Sequence, residues 1–182
     1  YMAGIISKDI SDRNLLPPDV IQADKEGVIH FHDKDYFGQK TLHNCDLINL
    51  EDMLQNGTVV NGVMIERPHR FHTACTIATQ IITAVASSQY GGATISLSHL
   101  APFVRDSYNK FYNKYIRWGF DEIQSAKFAK IDLEEDIKDG VQTFNYQINS
   151  MATTNGQAPF LSVFMYLGET DEYKNELAMI IE

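Results

Sequence analysis

From Phe71 to Leu100 the chain carries no Asp, Glu, Lys or Arg. So long a stretch without charge has to be covered, yet Gln80, Gln89, Gly91, Gly92 and many Ser and Thr make it too polar to span a membrane. Its first part, from His72 to about Tyr90, predicts a long helix with Ala74, Ile77, Ala78, Ile81 and Val85 as its apolar stripe. On the other side Thr73, Thr76, Gln80, Thr83 and Ser87 recur at three- and four-residue steps, where a solvated helix would carry Lys and Glu. A helix covered on both sides by small groups is either the centre of one core or one member of a helix pair between subunits. The residues alone leave both readings open. Gly91-Gly92 breaks the helix.

Around this element the chain alternates strands and helices. Pro17-Pro18-Asp19 opens a short helix that Gly27 closes. "VIHFHD" (28–33) reads as a strand with His30 and His32 on one face, and "LHNCDLIN" as a second strand. "LEDMLQNG" is a short helix, and a loop runs through Asn61-Gly62 and Arg67-Pro68. Pro102 to Trp118 predicts a helix with an aromatic-rich stripe, and "DLEEDIKDG" starts another whose apolar face continues to Met151. "FLSVFMYLG" is a nearly continuous apolar strand of the kind buried on both faces, and a last helix begins at about Thr170. Such alternation predicts an α/β arrangement, part of a barrel or of a doubly wound sheet. Three or four strands are few for a closed barrel. The chain starts without a helix cap and stops inside an apolar helical pattern, so residues 1–182 are expected to be a single partial domain of a longer protein.

A formal net charge of −9 argues against general nucleic-acid binding, which needs a basic face. Two cysteines, Cys45 and Cys75, are too few for a disulfide framework and favour a reducing cytoplasm. His30 with His32, and His69, His72 with Cys75, lack the paired spacing of a zinc site, and no HExxH is present; these read as structural residues and no metal is assigned. The segment "TLHNCDLINLEDML" is harder to dismiss. A strand that only packs would use Val and Ile, whereas this one carries His43, Asn44, Cys45, Asp46 and Asn49. Unpartnered buried polar groups cost about 1–3 kcal/mol each, so the strand is half exposed or lines a site. Taken alone, Cys45 reads most simply as a small buried hydrophobe.

Read in order, "HFHDKDYF", "HNCDLIN", "SSQYGGATISLSHLAPF", "SMATTNGQAPF" and "FMYLGE" resemble the catalytic subunit of the anaerobic, class III ribonucleoside-triphosphate reductases, over nearly the whole chain. The resemblance implies half of a ten-stranded α/β barrel of the ribonucleotide reductase and glycyl-radical enzyme type, with long interface helices. It implies reduction of ribonucleoside triphosphates to deoxyribonucleoside triphosphates, with formate as reductant. A glycyl radical, made by a radical S-adenosylmethionine activating enzyme, would be relayed to a finger-loop cysteine that removes the 3′ hydrogen. Cys45 matches the first-strand cysteine that assists loss of the 2′-hydroxyl as water, and His30 and Asn44 match substrate-contacting positions. Glu66, His69 and Gln80 match contacts to a deoxynucleoside triphosphate effector at a homodimer interface, with Arg67, Lys110 and Lys114 as candidates to offset its phosphates. Thr153, Thr154, Asn155, Gly156 and Gln157 match the mobile loop that carries the effector's signal to the substrate.

The thiyl cysteine, the glycyl-radical site, the structural zinc module and the amino-terminal ATP-binding domain have no counterpart here, so this piece is expected to be inactive alone. Two alternatives remain: another glycyl-radical enzyme of the pyruvate formate-lyase type, or a non-catalytic nucleotide-sensing dimerisation module. The polar "HNCDLIN" strand argues against the first.

Overall fold

The computed structural model describes residues 2–38, 45–88 and 92–182. Three short parallel strands, β1 (Asp46–Leu47), β4 (Ala93–Ser96) and β5 (Leu161–Phe164), form a sheet in the order β1-β4-β5. Parallel neighbours need long crossovers. The first contains α4 (Leu50–Gln55), a hairpin of β2 (Thr58–Val60) and β3 (Val63–Ile65), and α5 (Phe71–Ala86). The second contains α6 (Ala101–Arg117) and the long α7 (Glu122–Ser150). Before the sheet lie α1 (Met2–Ile10), which runs on into a π-helical turn at Ser11–Leu15, α2 (Pro18–Lys25) and α3 (Lys34–Phe37); α8 (Lys174–Ile181) follows it. The architecture is mixed α/β with a small parallel sheet. Among the described residues no helix is long and apolar enough to cross a membrane.

Local signals place several helix starts. Asn49 caps α4 by accepting from the Asp52 amide at 3.3 Å, and Asp121 caps α7 by accepting from the Gln124 amide at 2.8 Å. α5 is different: Arg70 gives no side-chain cap, and Ser107 Oγ of α6 accepts from the Phe71 amide instead, at 2.8 Å. Ser107 in turn donates to Asp136 Oδ2 of α7 at 2.7 Å, and Arg70 pairs with the other oxygen of that fully buried carboxylate. One polar cluster thus ties the start of α5 to both neighbouring helices. Beside it α7 carries Gly140, where a Cβ would fall 2.7 Å from the buried Phe71 ring. The glycine is what allows the two helices to approach there.

Several expectations change. The 28–33 segment is not a strand: the Val28 and Ile29 amides both go to Ala23 O at the end of α2, the Phe31 amide goes to Asp24 Oδ1 at 2.8 Å, and Asp33 turns at φ 54°. The Asn61-Gly62 loop is a tight hairpin with φ of 52° and 79°, the geometry of a type I′ turn, and Val60 pairs with Val63. "ATIS" forms the central strand β4, α7 begins ten residues before "DLEEDIKDG", and α5 ends at Ala86, short of Tyr90. The β5 segment is not buried on both faces: Phe160 and Phe164, on the side away from Leu161 and Val163, are 75% and 55% exposed.

Candidate functional site

The sheet presents two unlike faces. Ala93 and Ile95 of β4 are buried, and Leu161 and Val163 of β5 pack with them against the helices. Alternation puts Leu47, Thr94, Ser162 and Phe164 on the opposite face, where Leu47 is 70% exposed. Cys45 shares the parity of Leu47 and is exposed. Its row across the sheet is defined by two bonds, from the Asp46 amide to Gly92 O at 3.2 Å and from the Ala93 amide to Phe160 O at 2.9 Å. Cys45, Gly92 and Phe160 are therefore neighbours in one row, with Cys45 and Phe160 roughly 10 Å apart at two strand spacings. A Cβ on Gly92 would stand 3.0 Å from the Phe160 ring, so the glycine leaves room for that aromatic beside the thiol's row. Cys75, by contrast, is buried in the core of α5, and burial pushes its thiol well above the ordinary range. Of the two thiols, Cys45 is the exposed one. The neighbouring Asn44 lies outside the described residues.

His30 and His32 are exposed, their rings edge to face at 5.9 Å. His32 Nε2 is 2.8 Å from Asp33 Oδ2, an atom without a well-formed hydrogen bond among the described residues. Burial raises that carboxyl, and His32 and His30 partly offset the rise. The segment is carried on α3, which is held by a buried lysine. Lys34 pairs with Asp12 at 2.9 Å and with Asp24, while its carbonyl accepts from Ser7 and Ser11. His69 is exposed, His72 bonds to Thr143 and Cys75 is buried, so these three do not converge. Among the described residues no group of three or more His, Cys, Asp or Glu is placed to hold a metal ion.

The Thr153–Gln157 loop joins α7 to β5 and is closed on itself: the Thr153 amide donates to Gln157 O at 2.8 Å and the Gly156 amide to Thr153 O at 2.9 Å, with Gly156 at φ 84°. It rests on α3, where Tyr36 Oη and Thr153 Oγ1 are 2.8 Å apart and Asn155 Nδ2 donates to Asp35 O at 2.6 Å. On its other side the Thr154 amide donates to Ser87 Oγ, just past the end of α5, at 3.2 Å. The same loop delivers Phe160 to the row of Cys45.

The charge-free helix divides between both readings. His72, Thr79 and Thr83 face α7, bonding to Thr143, Gln147 and Met151 in turn. Thr73, Gln80 and Ala84 are exposed on the outward side and leave a face without charge. Glu66 and His69 are exposed on the connection before α5, and Gln80 sits on the helix roughly 13 Å beyond Phe71. Of the proposed phosphate partners, Arg67 pairs with Asp106 at 2.6 Å and Lys114 with Asp132 at 2.6 Å, whereas Lys110 is exposed and unpaired among the described residues. Sequence reasoning missed Asp35, Tyr36 and Phe160. Nothing local marks the first two; Phe160 was legible as the residue opening the last strand.

Comparison with known proteins settles the family. The family model described as anaerobic ribonucleoside-triphosphate reductase matches residues 1–182. The chain belongs to that family. It is 38% identical over 182 residues to the anaerobic ribonucleoside-triphosphate reductase of Salmonella typhimurium, covering 99% of this chain and 25% of the relative. The Escherichia coli K12 protein of the same name is 38% identical over 173 residues, covering 94% and 24%, and that of enterobacteria phage T4 is 35% identical over 164 residues, covering 89% and 27%. The chain thus spans about a quarter of the length of these reductases.

Proposed function

We propose that this chain is the portion of an anaerobic ribonucleoside-triphosphate reductase that carries the first-strand cysteine, the effector helix and the signalling loop. The observation that carries the reading is Cys45: in a chain matched along its whole length by the reductase family, the one exposed thiol stands on the open face of a parallel sheet. Three parallel strands with helices packed on one face and with Leu47, Ser162 and Phe164 exposed on the other are in keeping with half of a ten-stranded α/β barrel seen from inside. The ribonucleoside triphosphate then binds over that face. The Cys45 S–H gives a proton toward the departing 2′-hydroxyl, which leaves as water, and the weak S–H bond lets the same atom serve in radical chemistry. His30 and Asn44 contact the substrate.

A deoxynucleoside triphosphate effector binds at a homodimer contact built on the uncharged outward face of α5, within reach of Glu66, His69 and Gln80. A second copy is what would bring separated positions together, and Lys110 is the cation left to meet phosphate. The glycyl radical, its S-adenosylmethionine-dependent activating enzyme, the structural zinc and formate belong to the whole cytoplasmic enzyme. No residues of this chain are assigned to the zinc. The test is Cys45→Ser in the full-length protein. Glycyl-radical content, read by electron paramagnetic resonance after activation, should match the parent, and deoxynucleotide formation should fall to background. Deoxynucleotide formation at near-parent rate would remove Cys45 from the reaction.

A further inference from the structure

We infer that Tyr36, with Asp35, is a positioning pair for substrate specificity: α3 is the fixed seat on which the Thr153–Gln157 loop is set, and the loop reaches the reaction site in the register that this seat dictates. The inference rests on the reading above and adds to it residues outside the loop and outside the effector site.

The contacts join residues remote in sequence, and the hydroxyl pair among them is buried. Tyr36 and Thr153 are 3% and 6% exposed, so their 2.8 Å hydroxyl pair is shielded from water, and loss of either hydroxyl leaves the other without its partner. Asn155, 4% exposed, donates to the Asp35 carbonyl, and Gln157 donates to the Asp35 carboxylate. The seat itself is anchored away from the loop. Lys34 binds Asp12 and Asp24, and Ser7 and Ser11 bind the Lys34 carbonyl, so α3 is joined to α1, its π-helical extension and α2. Immediately before α3 runs the His30–Asp33 segment, and immediately after the loop comes Phe160 in the row of Cys45. A further contact of the loop lies on a different element: Ser87 Oγ, which accepts from the Thr154 amide, also donates to Thr83 O at 2.8 Å and is thereby tied to the end of α5. A shift of α5 on effector binding would pull on Thr154 while Asp35 and Tyr36 resist. The loop then has a lever at one point and a fulcrum at two, and the fulcrum converts displacement into a defined position of Phe160.

Coupling between the seat and the loop is measured by a double-mutant cycle. The experiment uses the full-length reductase with Tyr36→Phe, Thr153→Val, the double variant and Gln157→Ala, the last an exposed side chain whose loss leaves the fold intact. Two readouts are taken: hydrogen exchange at the Thr153, Thr154 and Gly156 amides, and the ratio of kcat/KM for two ribonucleoside triphosphates with each deoxynucleotide effector. Tyr36→Phe is expected to speed exchange of those amides and to reduce effector-dependent discrimination by about fivefold or more. The double variant should lose no more than either single one, because both remove the same bond; Gln157→Ala should shift discrimination in the same direction. Discrimination equal to the parent in Tyr36→Phe and Gln157→Ala, or losses that multiply in the double variant, would overturn the inference. A parent protein that reduces no ribonucleotide would overturn the functional reading and the specificity role with it, while the exchange difference would still report the contact between α3 and the loop.

Discussion

At the scale of single residues, Lys34 shows how a charge is made affordable inside a fold. It is 5% exposed and is matched by two carboxylates, and its hydrogen bonds to Asp24 and Asp12 raise its ammonium above the ordinary 10.5. The same bond to Lys34 is the leading cause that holds Asp24 below the ordinary 3.8, followed by the Phe31 amide. The signs differ at the two ends of the pH scale. Asp24, with its lowered value, stabilises the fold above pH 3.8, and that contribution is lost as pH falls through its folded value. Lys34, with its raised value, stabilises below pH 10.5, and that contribution is lost as pH rises through its folded value. Lys34→Met should therefore move the Asp24 carboxyl titration upward toward 3.8, as read by carbon-13 NMR. An unmoved titration would transfer the cause to the Phe31 amide.

At the scale of elements, the decisive junction is the start of α5. A helix whose first residue, Phe71, has its amide satisfied by Ser107 of α6 and, through it, by Asp136 of α7 cannot be capped by its own sequence. The Asp136 side chain is fully buried, while its Arg70 partner is 37% exposed. Removing Arg70 strands a carboxylate that has no route to water. Arg70→Ala is expected to destabilise the protein by about 3 kcal/mol in urea unfolding. Asp136→Asn added to that variant should recover part of the loss, because the stranded charge disappears while an acceptor for Ser107 remains. A double variant as unstable as the sum of the two single ones would show that the pair is not coupled. Most elements could be located from their sequence: the α2 start at Pro18, the α6 stripe, the Gly27 stop. The hairpin was also legible, since Asn61-Gly62 between Val-Val and Val-Met-Ile is a strong turn signal. The 28–33 segment misled because its alternation of apolar and histidine residues looks like a strand, while the bond that decides its shape comes from Asp24 in the preceding helix.

At the scale of the whole molecule, α5 is shared between the interior and an outward surface. Its α7 side is closed by hydroxyl, amide and thioether contacts within one chain, whereas Thr73, Gln80 and Ala84 are exposed on a face without charge. Thr73 and Ala84 are thus the positions at which a dimer can be tested without disturbing the α5–α7 seam. Thr73→Glu with Ala84→Glu would set like charges across a two-fold axis. In sedimentation velocity the full-length variant should run as a monomer under conditions in which the parent runs as a dimer. Unchanged sedimentation would mean that the outward face of α5 meets no second copy.

Period and composition by themselves determined the alternation of helix and strand, the uncharged helix and the unusual polarity around Cys45, because each depends on residues close in the chain. They did not determine which of the small polar residues on α5 meet α7 and which meet solvent: Thr79 and Gln80 are adjacent in sequence, yet a rotation of 100° per residue sends one to Gln147 and the other outward. Nor could they join Tyr36 to Thr153 or Asp35 to Asn155, pairs more than a hundred residues apart. Those contacts exist because the crossovers that parallel strands require bring the end of α7 back over α3, and only the folded chain sets that geometry.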